Sequence, residues 1–492
     1  MSDGLGSLTV IFTEFYYWVT VVFMFLIHVG FCVYEVGASR RKNIQHTLMK
    51  NTMVIPLVTI TFFYFGWWIY FAFVNFPMLA WFGPEDTPMF ASAAFAVPWS
   101  ELMGTHMGGS VTVQTDSLTA DDTMYWARIN GVFWAAFLLF SWTTASIISG
   151  AVIERIKTQA FLIIAVMVGS GTWIIDAAWG WSWNGWMVQL WGFHDAYASS
   201  VVHGIAGGSA LGVLCVLGPR LGKFAADGTP RDIPQNNPWF VTIGLFLIYT
   251  GFWGFYAACN IPIIDFTTVV MGQEGESFFT ATNIYLTPTS LSAITFNFLM
   301  SLSGGLLAGY VLSKGDPFWS YSGGLAGVIT ASAGNDLYHP VEAMIIGMAG
   351  VWVAYKLHYW VERRFKLDDA VGAVAVHGYA GFFGTVVAGF MLWGYPSNIV
   401  GNEIGWFGNV DGVAAINPIG NFLGAALFFW GLGFLPCWIV AKILNGLGWL
   451  RVPREVELAG LDTHDYGDAF PYYAYRETVM EDIDRQLAKG QN

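Results

Sequence analysis

Two short stretches of the sequence share the pattern Val-His-Gly-x-Ala-Gly, and their histidines are His203 and His377. An aspartate stands eight residues before each histidine, Asp195 before the first and Asp369 before the second. Both histidines lie in apolar runs, where an ionisable side chain is costly and by default indicates function. A lone histidine would more simply make a structural hydrogen bond. Agreement at five positions plus a matched carboxylate favours a functional pair.

Two neutral imidazoles side by side can share one N–H···N hydrogen bond and leave each outer ring position facing a pore. Burial disfavours their charged forms. Such a lining suits a small species that both donates and accepts hydrogen bonds, whereas Na⁺ and K⁺ require a cage of oxygens. An unpaired ammonium ion entering a low dielectric costs on the order of tens of kcal/mol, but neutral ammonia costs only about a few. An apolar pore would therefore separate the proton from the nitrogen, and the histidines would either relay that proton or hold the neutral molecule.

A tryptophan-rich segment, residues 181–186, precedes the first aspartate and contains Trp181, Trp183 and Trp186. Tryptophan faces attract cations by about 0.5 to 2 kcal/mol, and Asp195 adds negative charge. Together they predict a recruitment site for a monovalent cation. Interfacial tryptophan belts are common in membrane proteins, so a purely structural role is the alternative.

Membrane-spanning helices must hold these residues, because the composition excludes a soluble globule. The 492 residues are 55% hydrophobic and 11% charged, against roughly 25% charged in a soluble domain. A net charge of −13 with scattered basic residues also argues against a nucleic-acid partner. A helix crosses the hydrocarbon core of the lipid bilayer with roughly 20 mostly apolar residues. Eleven such runs lie near 10–34, 53–77, 126–149, 158–180, 196–218, 238–259, 281–313, 317–333, 339–361, 370–394 and 413–445.

The basic residues indicate how these spans are oriented. With eleven spans, 20 of the 21 Lys and Arg fall in or near one set of alternate loops and the C-terminal tail, and only Arg128 falls on the other side. Because cytoplasmic loops are enriched in Lys and Arg, the N-terminus is predicted outside and the C-terminus inside. The first basic residue is Arg40, so we expect the first apolar run to stay as a helix rather than act as a cleaved signal.

The repeated histidine pattern falls on the fifth and tenth spans, which run in opposite directions. We therefore expect an all-α polytopic fold of two inverted five-helix repeats plus one extra helix, with the substrate site where the halves meet. Each histidine lies about 12 Å into its helix, near the bilayer centre. The expected division is a membrane domain, 1–446, and a polar tail, 447–492.

Several motifs resemble those of the ammonium transporter family (Amt/Mep/Rh), and specifically its Amt branch. They are GFCVYEVGASRRKN (30–43), SGAVIERIK (149–157), DAYASSVVHGIAG (195–207), GFWGFYAAC (251–259), LDDAVGAVAVHGYAG (367–381) and ELAGLDTHDYGDAFPY (457–472). The resemblance implies a homotrimer with one pore per subunit in the cell (plasma or inner) membrane, carrying ammonium or ammonia. It also implies that the tail is cytosolic and regulatory, and it makes a PII-type signalling protein a candidate partner.

The resemblance assigns roles by matching motifs. His203 and His377 match the twin pore histidines, and Phe140 and Phe255 match a stacked phenyl gate. Trp183 matches the recruiting tryptophan, and Asp195 matches the carboxylate that stabilises that site from behind.

Four positions depart from the family pattern. Cys259 stands where a serine usually contacts the recruited ion, and a thiol is a weaker acceptor. Ala136 replaces an additional phenylalanine near the gate. Tyr256 replaces an asparagine, and Gly372 replaces an aspartate. These changes leave affinity and exact substrate open.

Other functions fit parts of this pattern. A methylammonium permease could use the space left by Ala136, and a low-flux ammonium sensor would fit weak binding at Cys259. From another class, a membrane redox protein could bind haem through His203 and His377. We expect no cofactor and no enzymatic activity, and none of the four cysteines forms a CxxC pair.

Overall fold

The computed structural model describes residues 2–74, 122–263, 280–398 and 405–467. Within these ranges nearly all regular structure is helical. The tail signature predicted at 457–472 ends beyond them, as does most of the predicted tail. In chain order the α-helices are α1 (Ser2–Ala38), α2 (Ile44–Thr61), α3 (Trp67–Phe73), α4 (Asp122–Ala151), α5 (Thr158–Met167), α6 (Trp173–Gly180), α7 (Ile205–Leu217), α8 (Pro238–Ala258), α9 (Leu291–Ser313), α10 (Pro317–Ala331), α11 (Pro340–Phe365), α12 (Ala380–Met391), α13 (Pro418–Ala426), α14 (Leu435–Gly446), α15 (Arg454–Ala459) and α16 (Leu461–Tyr466).

Wider π-helical turns continue or precede several of these helices. Each of these turns contains about one residue more than an α-helical turn. Such segments are frequently found at functional sites. The π-helical segments are Phe62–Gly66, Val168–Thr172, Met187–Trp191, Ser199–Gly204, Val374–Tyr379 and Leu427–Phe434.

The strands are short and lie in the connections between helices. The first sheet has the order β1 (Asn260–Ile263), β2 (Thr280–Asn283), β3 (Pro288–Thr289), all antiparallel, and β4 (Asn409–Val410) pairs with β5 (Val413–Ala414). Asn260 pairs with Asn283 across the first sheet, directly after α8 ends.

Proline at the first helical position and a polar residue before it define several helix starts. Asn237 caps α8 by accepting the N–H of Trp239 at 3.0 Å, and Asn417 caps α13 by accepting the N–H of Gly420 at 2.8 Å. The first N–H groups of a helix have no partner within the helix. Proline has no N–H at that position, and the oxygen of the capping side chain accepts the N–H of a later residue in the first turn. These signals are readable in the sequence.

Ten helical stretches among the described residues are long and apolar enough to cross a membrane, which confirms a helical multi-pass membrane protein. They correspond to ten of the eleven predicted spans. The eighth prediction, 317–333, falls on α10, which has 15 residues and extends for about 22 Å. Helices α9, α10 and α11 pack against one another, and α1 packs along α8.

One end of the molecule, here termed the basic end, carries Arg40, Arg155, Arg220 and Arg451. Arg220 Nε lies 2.8 Å from Asp368 Oδ2, and Arg155 Nη2 donates to the Asp368 carbonyl at 2.7 Å. Burial alone would raise the pKa of Asp368, but the two guanidinium groups hold it well below its usual range. The charged groups at this end are therefore buried in pairs.

The described part of the tail folds back onto the start of α2. The Asp462 carboxylate accepts the N–H groups of Gln45 at 3.0 Å and His46 at 2.8 Å. Asn43, directly before α2, accepts the N–H of Leu461 at 3.0 Å. The bonds to Asp462 satisfy amides in the first turn of α2, and the bond to Asn43 satisfies the first amide of α16; none of these amides has a partner within its own helix.

Candidate functional site

His203 and His377 meet directly inside the molecule. Their Nδ1 atoms are 3.1 Å apart, and the two ring centroids are 5.2 Å apart. Both side chains are buried, and His203 Nε2 has no hydrogen-bond partner among the described residues. This distance allows one shared N–H···N bond, whose donor depends on the tautomers of the two rings.

Asp195 holds the turn that carries His203. Its carboxylate accepts the backbone N–H groups of Ser199 and Ser200 at 2.6 Å each and of Val201 at 2.9 Å. Burial raises the pKa of Asp195 to about 6, although these three amides favour the carboxylate. Asp195 therefore orders the helix start rather than facing the histidine.

Asp369 plays the same part before His377. Its Oδ2 accepts the N–H groups of Val374 at 2.9 Å and Ala375 at 3.3 Å. Burial raises its pKa to about 7, against the effect of the amides. The matched aspartates in the sequence therefore correspond to matched caps on π-helical turns.

A left-handed residue lies five positions before each histidine. Ala198 has φ 69° and Gly372 has φ 67°. Glycine adopts this conformation without strain, whereas an alanine there costs about 1–2 kcal/mol. Gly372, which stands where the family usually has an aspartate, thus fits the backbone that this segment adopts.

The helices that follow the two histidines cross at their glycines. A Cβ added to Gly378 would lie 3.0 Å from Gly207 Cα, and one added to Gly381 would lie 3.1 Å from Gly204 N. Small residues let two backbones approach closely. This crossing brings the two imidazoles into contact.

Phenyl rings cover one side of the histidine pair. The Phe255 ring lies 5.5 Å from His203 at an interplanar angle of 18°, and the Phe252 ring lies 5.7 Å away at 9°. Phe140 contacts Phe255 at 4.6 Å and 86°. The two predicted gate rings therefore touch edge to face rather than stacked, and both are fully buried.

Within the tryptophan-rich segment 181–186, Trp181 is the residue whose ring contacts the predicted gate. Its ring is 4.7 Å from that of Phe140, and its Nε1 donates to the Ala196 carbonyl at 3.3 Å. Phe137, next to Ala136, lies 5.6 Å from Trp181. Trp183, which the family spacing favours, is 38% exposed. The spacing to Asp195 did not distinguish Trp181 from Trp183. Nothing in the sequence pointed to Phe137 except its position next to Ala136, where the family has an additional phenylalanine.

Cys259 and Tyr256 lie at the end of α8 beyond Phe255. The Cys259 thiol donates to the Phe255 carbonyl within its own helix, with the sulfur 3.2 Å from the oxygen. The Tyr256 hydroxyl lies 2.7 Å from Ser332 Oγ, and its ring stacks on Tyr197 at 4.3 Å. Both side chains therefore have hydrogen-bond partners, Cys259 within its own helix and Tyr256 in the segment that follows α10. We term this end, with Trp181, Asp195 and Cys259, the gate end.

The histidine contact is too short for a metal ion between the rings. A metal bound by both nitrogens from opposite sides would separate them by about 4 Å, whereas they are 3.1 Å apart. No group of three or more His, Cys, Asp or Glu side chains forms a metal-binding cluster within the described ranges. The arrangement suits hydrogen bonding to a small neutral molecule.

A helical membrane bundle with a buried polar pair behind aromatic rings is the architecture of a transporter or channel. Residues 15–470 match the sequence profile of the Ammonium Transporter Family, and the chain belongs to that family, which is not a class of enzymes. Ammonium transporter Amt2 of Archaeoglobus fulgidus is 28% identical over 473 residues, which cover 92% of this chain and 86% of that protein. Ammonium transporter Amt2 of Methanocaldococcus jannaschii is 28% identical over 461 residues, which cover 93% and 90%.

Solved structures share the fold. A structure titled Sensor Amt Protein has a TM-score of 0.67 at 20% identity, and covers 94% of this chain and 99% of its own. Mep2 of Candida albicans has a TM-score of 0.63 at 16% identity, and covers 90% and 86%. The family predicted from the motifs is therefore confirmed.

Proposed function

We propose that this chain recruits ammonium at its gate end, deprotonates it, and conducts ammonia past His203 and His377 to the basic end. The observation that carries the proposal is the buried contact between the two Nδ1 atoms, 3.1 Å apart behind apolar rings. The relatives named as ammonium transporters support the same substrate.

The proposed pathway follows from the cost of burying charge. A cation can rest on the aromatic rings at the gate end for about 0.5 to 2 kcal/mol, but an unpaired ion beyond Phe140 would cost several times more. Neutral ammonia donates and accepts hydrogen bonds, as the imidazoles do. The proton either remains at the gate end or passes separately across the Nδ1–Nδ1 contact.

We further propose that the two histidine segments belong to inverted halves of an eleven-span protein, with α10 as the eighth span. The matching Asp195 and Asp369 caps support this proposal. We propose that the basic end faces the cytoplasm, because cytoplasmic loops are enriched in Lys and Arg. The division at residue 446 stays a prediction from the polarity of the segment that follows it. The resemblance alone predicts the homotrimer, the PII-type partner, the regulatory tail and the plasma or inner membrane, and these stay predictions.

The histidine pair is tested by replacing His203 with alanine in purified protein reconstituted into liposomes. We expect wild-type protein to give currents or internal alkalinisation after an ammonium pulse, and His203→Ala to change the ratio of proton to ammonia transport or to admit K⁺. Solid-supported membrane recordings with ammonium, methylammonium and potassium measure this. Equal wild-type transport of K⁺ would contradict the proposal. A larger methylammonium response would favour that substrate, and ammonium binding without transport would indicate a sensor.

The recruiting role of Trp183 is tested by Trp183→Leu. Because this side chain is 38% exposed, its loss should leave folding intact. If the ring holds the cation, the concentration for half-maximal current should rise about two- to fivefold, as expected for a cation–π contact of 0.5–1 kcal/mol. An unchanged concentration dependence would leave Trp181 as the aromatic surface to be tested next.

A further inference from the structure

A narrow cavity lies beside His377, and Phe31 and Glu35 form part of its wall. About 20 Å³ of it is open to the centre of a water-sized molecule, which is room for one water or one ammonia. A carboxylate and an imidazole therefore face the same small space.

This cavity is on the side of the histidine pair away from the gate end. Along α1, the Tyr17 hydroxyl donates to the Asn260 carbonyl near the gate end. Glu35 comes 18 residues later in the same helix, which corresponds to about 27 Å. It lies shortly before Arg40, at the basic end. A molecule that has passed the histidines would reach Glu35 next.

One oxygen of Glu35 is fixed and the other is open. Oε2 accepts hydrogen bonds from Ser149 Oγ at 2.6 Å and Asn51 Nδ2 at 2.9 Å, and Lys50 Nζ lies 3.9 Å from it. Oε1 is buried and has no hydrogen-bond partner in the described part of the chain. A Cβ on Gly150, another residue of the cavity wall, would lie 3.6 Å from Oε1. The hydrogen bonds to Oε2 thus fix the orientation of the carboxylate, and with it the position of Oε1.

A buried carboxylate oxygen without a donor is costly, and a proton or a bound N–H group would remove that cost. Lys50 is fully buried and stabilises the carboxylate once it forms. Glu35 can therefore exist both protonated and ionised at this position, which a proton-exchange group requires.

We propose that Glu35 exchanges the proton with ammonia on the basic-end side of the histidines. The inference rests on the proposed function. The Oε1–H bond of neutral Glu35 breaks with its electron pair left on the oxygen, and the lone pair of ammonia forms the new N–H bond. The resulting ammonium ion leaves toward the basic end. The carboxylate then takes a proton from a hydronium ion of the adjoining aqueous phase, which completes the cycle.

The test compares wild type, Glu35→Gln and a matched control, Glu362→Gln, in liposomes whose internal pH is varied from 6 to 8. Glu362 is a buried carboxylate paired with Lys223 at 2.5 Å, and it is not part of the cavity wall. We expect Glu35→Gln to lower the ammonium-evoked rate at least tenfold and to abolish its dependence on pH at the basic end. Glu362→Gln should preserve both, and Glu35→Asp should restore the pH dependence in part.

Two results would overturn the inference while leaving the proposed function in place. One is an active wild type whose rate and pH profile are unchanged in Glu35→Gln. The other is normal pH-dependent transport by Glu35→Gln combined with Lys50→Met, a double variant that removes both buried charges and guards against misfolding from an unpaired lysine. A wild type with no response to ammonium would refute the proposed function and this inference together.

Discussion

The turns that carry His203 and His377 bring the two imidazoles into contact, but the residues around the two turns differ. Asp195 binds three backbone amides and Asp369 binds two. On the gate side, His203 lies beside phenyl rings. On the basic side, His377 faces a cavity that Glu35 shares. The comparison indicates that apolar rings cover the gate side of the histidine contact, while a carboxylate shares the cavity on its basic side.

The largest effect on stability and transport is expected at the helix crossing, because the close approach of the two helices holds both histidine turns in contact. In Gly207→Val the new side chain would collide with the Gly378 backbone, and backbone cannot move aside as a flexible side chain can. We expect the free energy of unfolding to fall by about 3 kcal/mol or more and transport to be lost. Thermal unfolding in detergent and ammonium-evoked current measure the two effects.

Gly131→Ala is the matched control for the crossing, because no atom of the described residues lies within 4 Å of the position where its Cβ would stand. Alanine in a helix is about 1 kcal/mol better than glycine. The control should therefore melt no lower than wild type. If Gly207→Val melts at the same temperature as Gly131→Ala, the close approach of Gly207 and Gly378 is not needed for stability.

An intermediate effect on the free energy of unfolding is expected from a change of pH. The pH range of this effect differs between Asp195 and Asp369. Burial raises the pKa of Asp195 to about 6 and that of Asp369 to about 7. The folded protein thus keeps protons that the unfolded chain releases near pH 4. Their contribution to stability is full below about pH 4 and is lost as the pH rises through those values.

Asp369→Asn should therefore flatten the fall in stability between pH 6 and 7, while Asp195→Asn should flatten only the part below 6. Each contribution is on the order of a few kcal/mol at most. Unfolding temperatures of wild type and both variants from pH 4 to 8 measure the difference. Identical slopes for the two variants would show that the caps are electrostatically equivalent.

The smallest effect is expected at the left-handed residues. Ala198→Gly should raise the free energy of unfolding by about 0.5–1 kcal/mol, because glycine adopts a positive φ without strain. Gly372→Ala should lower it by about 1–2 kcal/mol, and more if Phe318, 2.8 Å from the added Cβ, cannot move. Paired melting curves test this. A stabilising Gly372→Ala would mean that the two turns do not share this backbone.

The helical membrane bundle could be predicted from the sequence because apolar length is a property of each segment alone. The meeting of the histidines could be predicted because the repeated motif relates two spans that run in opposite directions. The π-helical turns could not, since they depend on how Asp195 and Asp369 reach several amides at once. The sequence also did not single out Glu35. Its properties depend on Ser149, which lies 114 residues away, and on a cavity that forms only after packing. The family spacing to Asp195 selects Trp183, and it does not indicate that the Trp181 ring contacts Phe140.

The bonds from Asp462 to Gln45 and His46 bear on how deletion experiments should be interpreted. A chain shortened before residue 461 would lose the Asp462 carboxylate, which binds the first turn of α2. It would also lose any signalling role of the removed segment. Reduced expression or activity of such a truncation would then report damage to the scaffold. Point changes at Asp462 that are paired with a substitute acceptor at the start of α2 would distinguish the two causes.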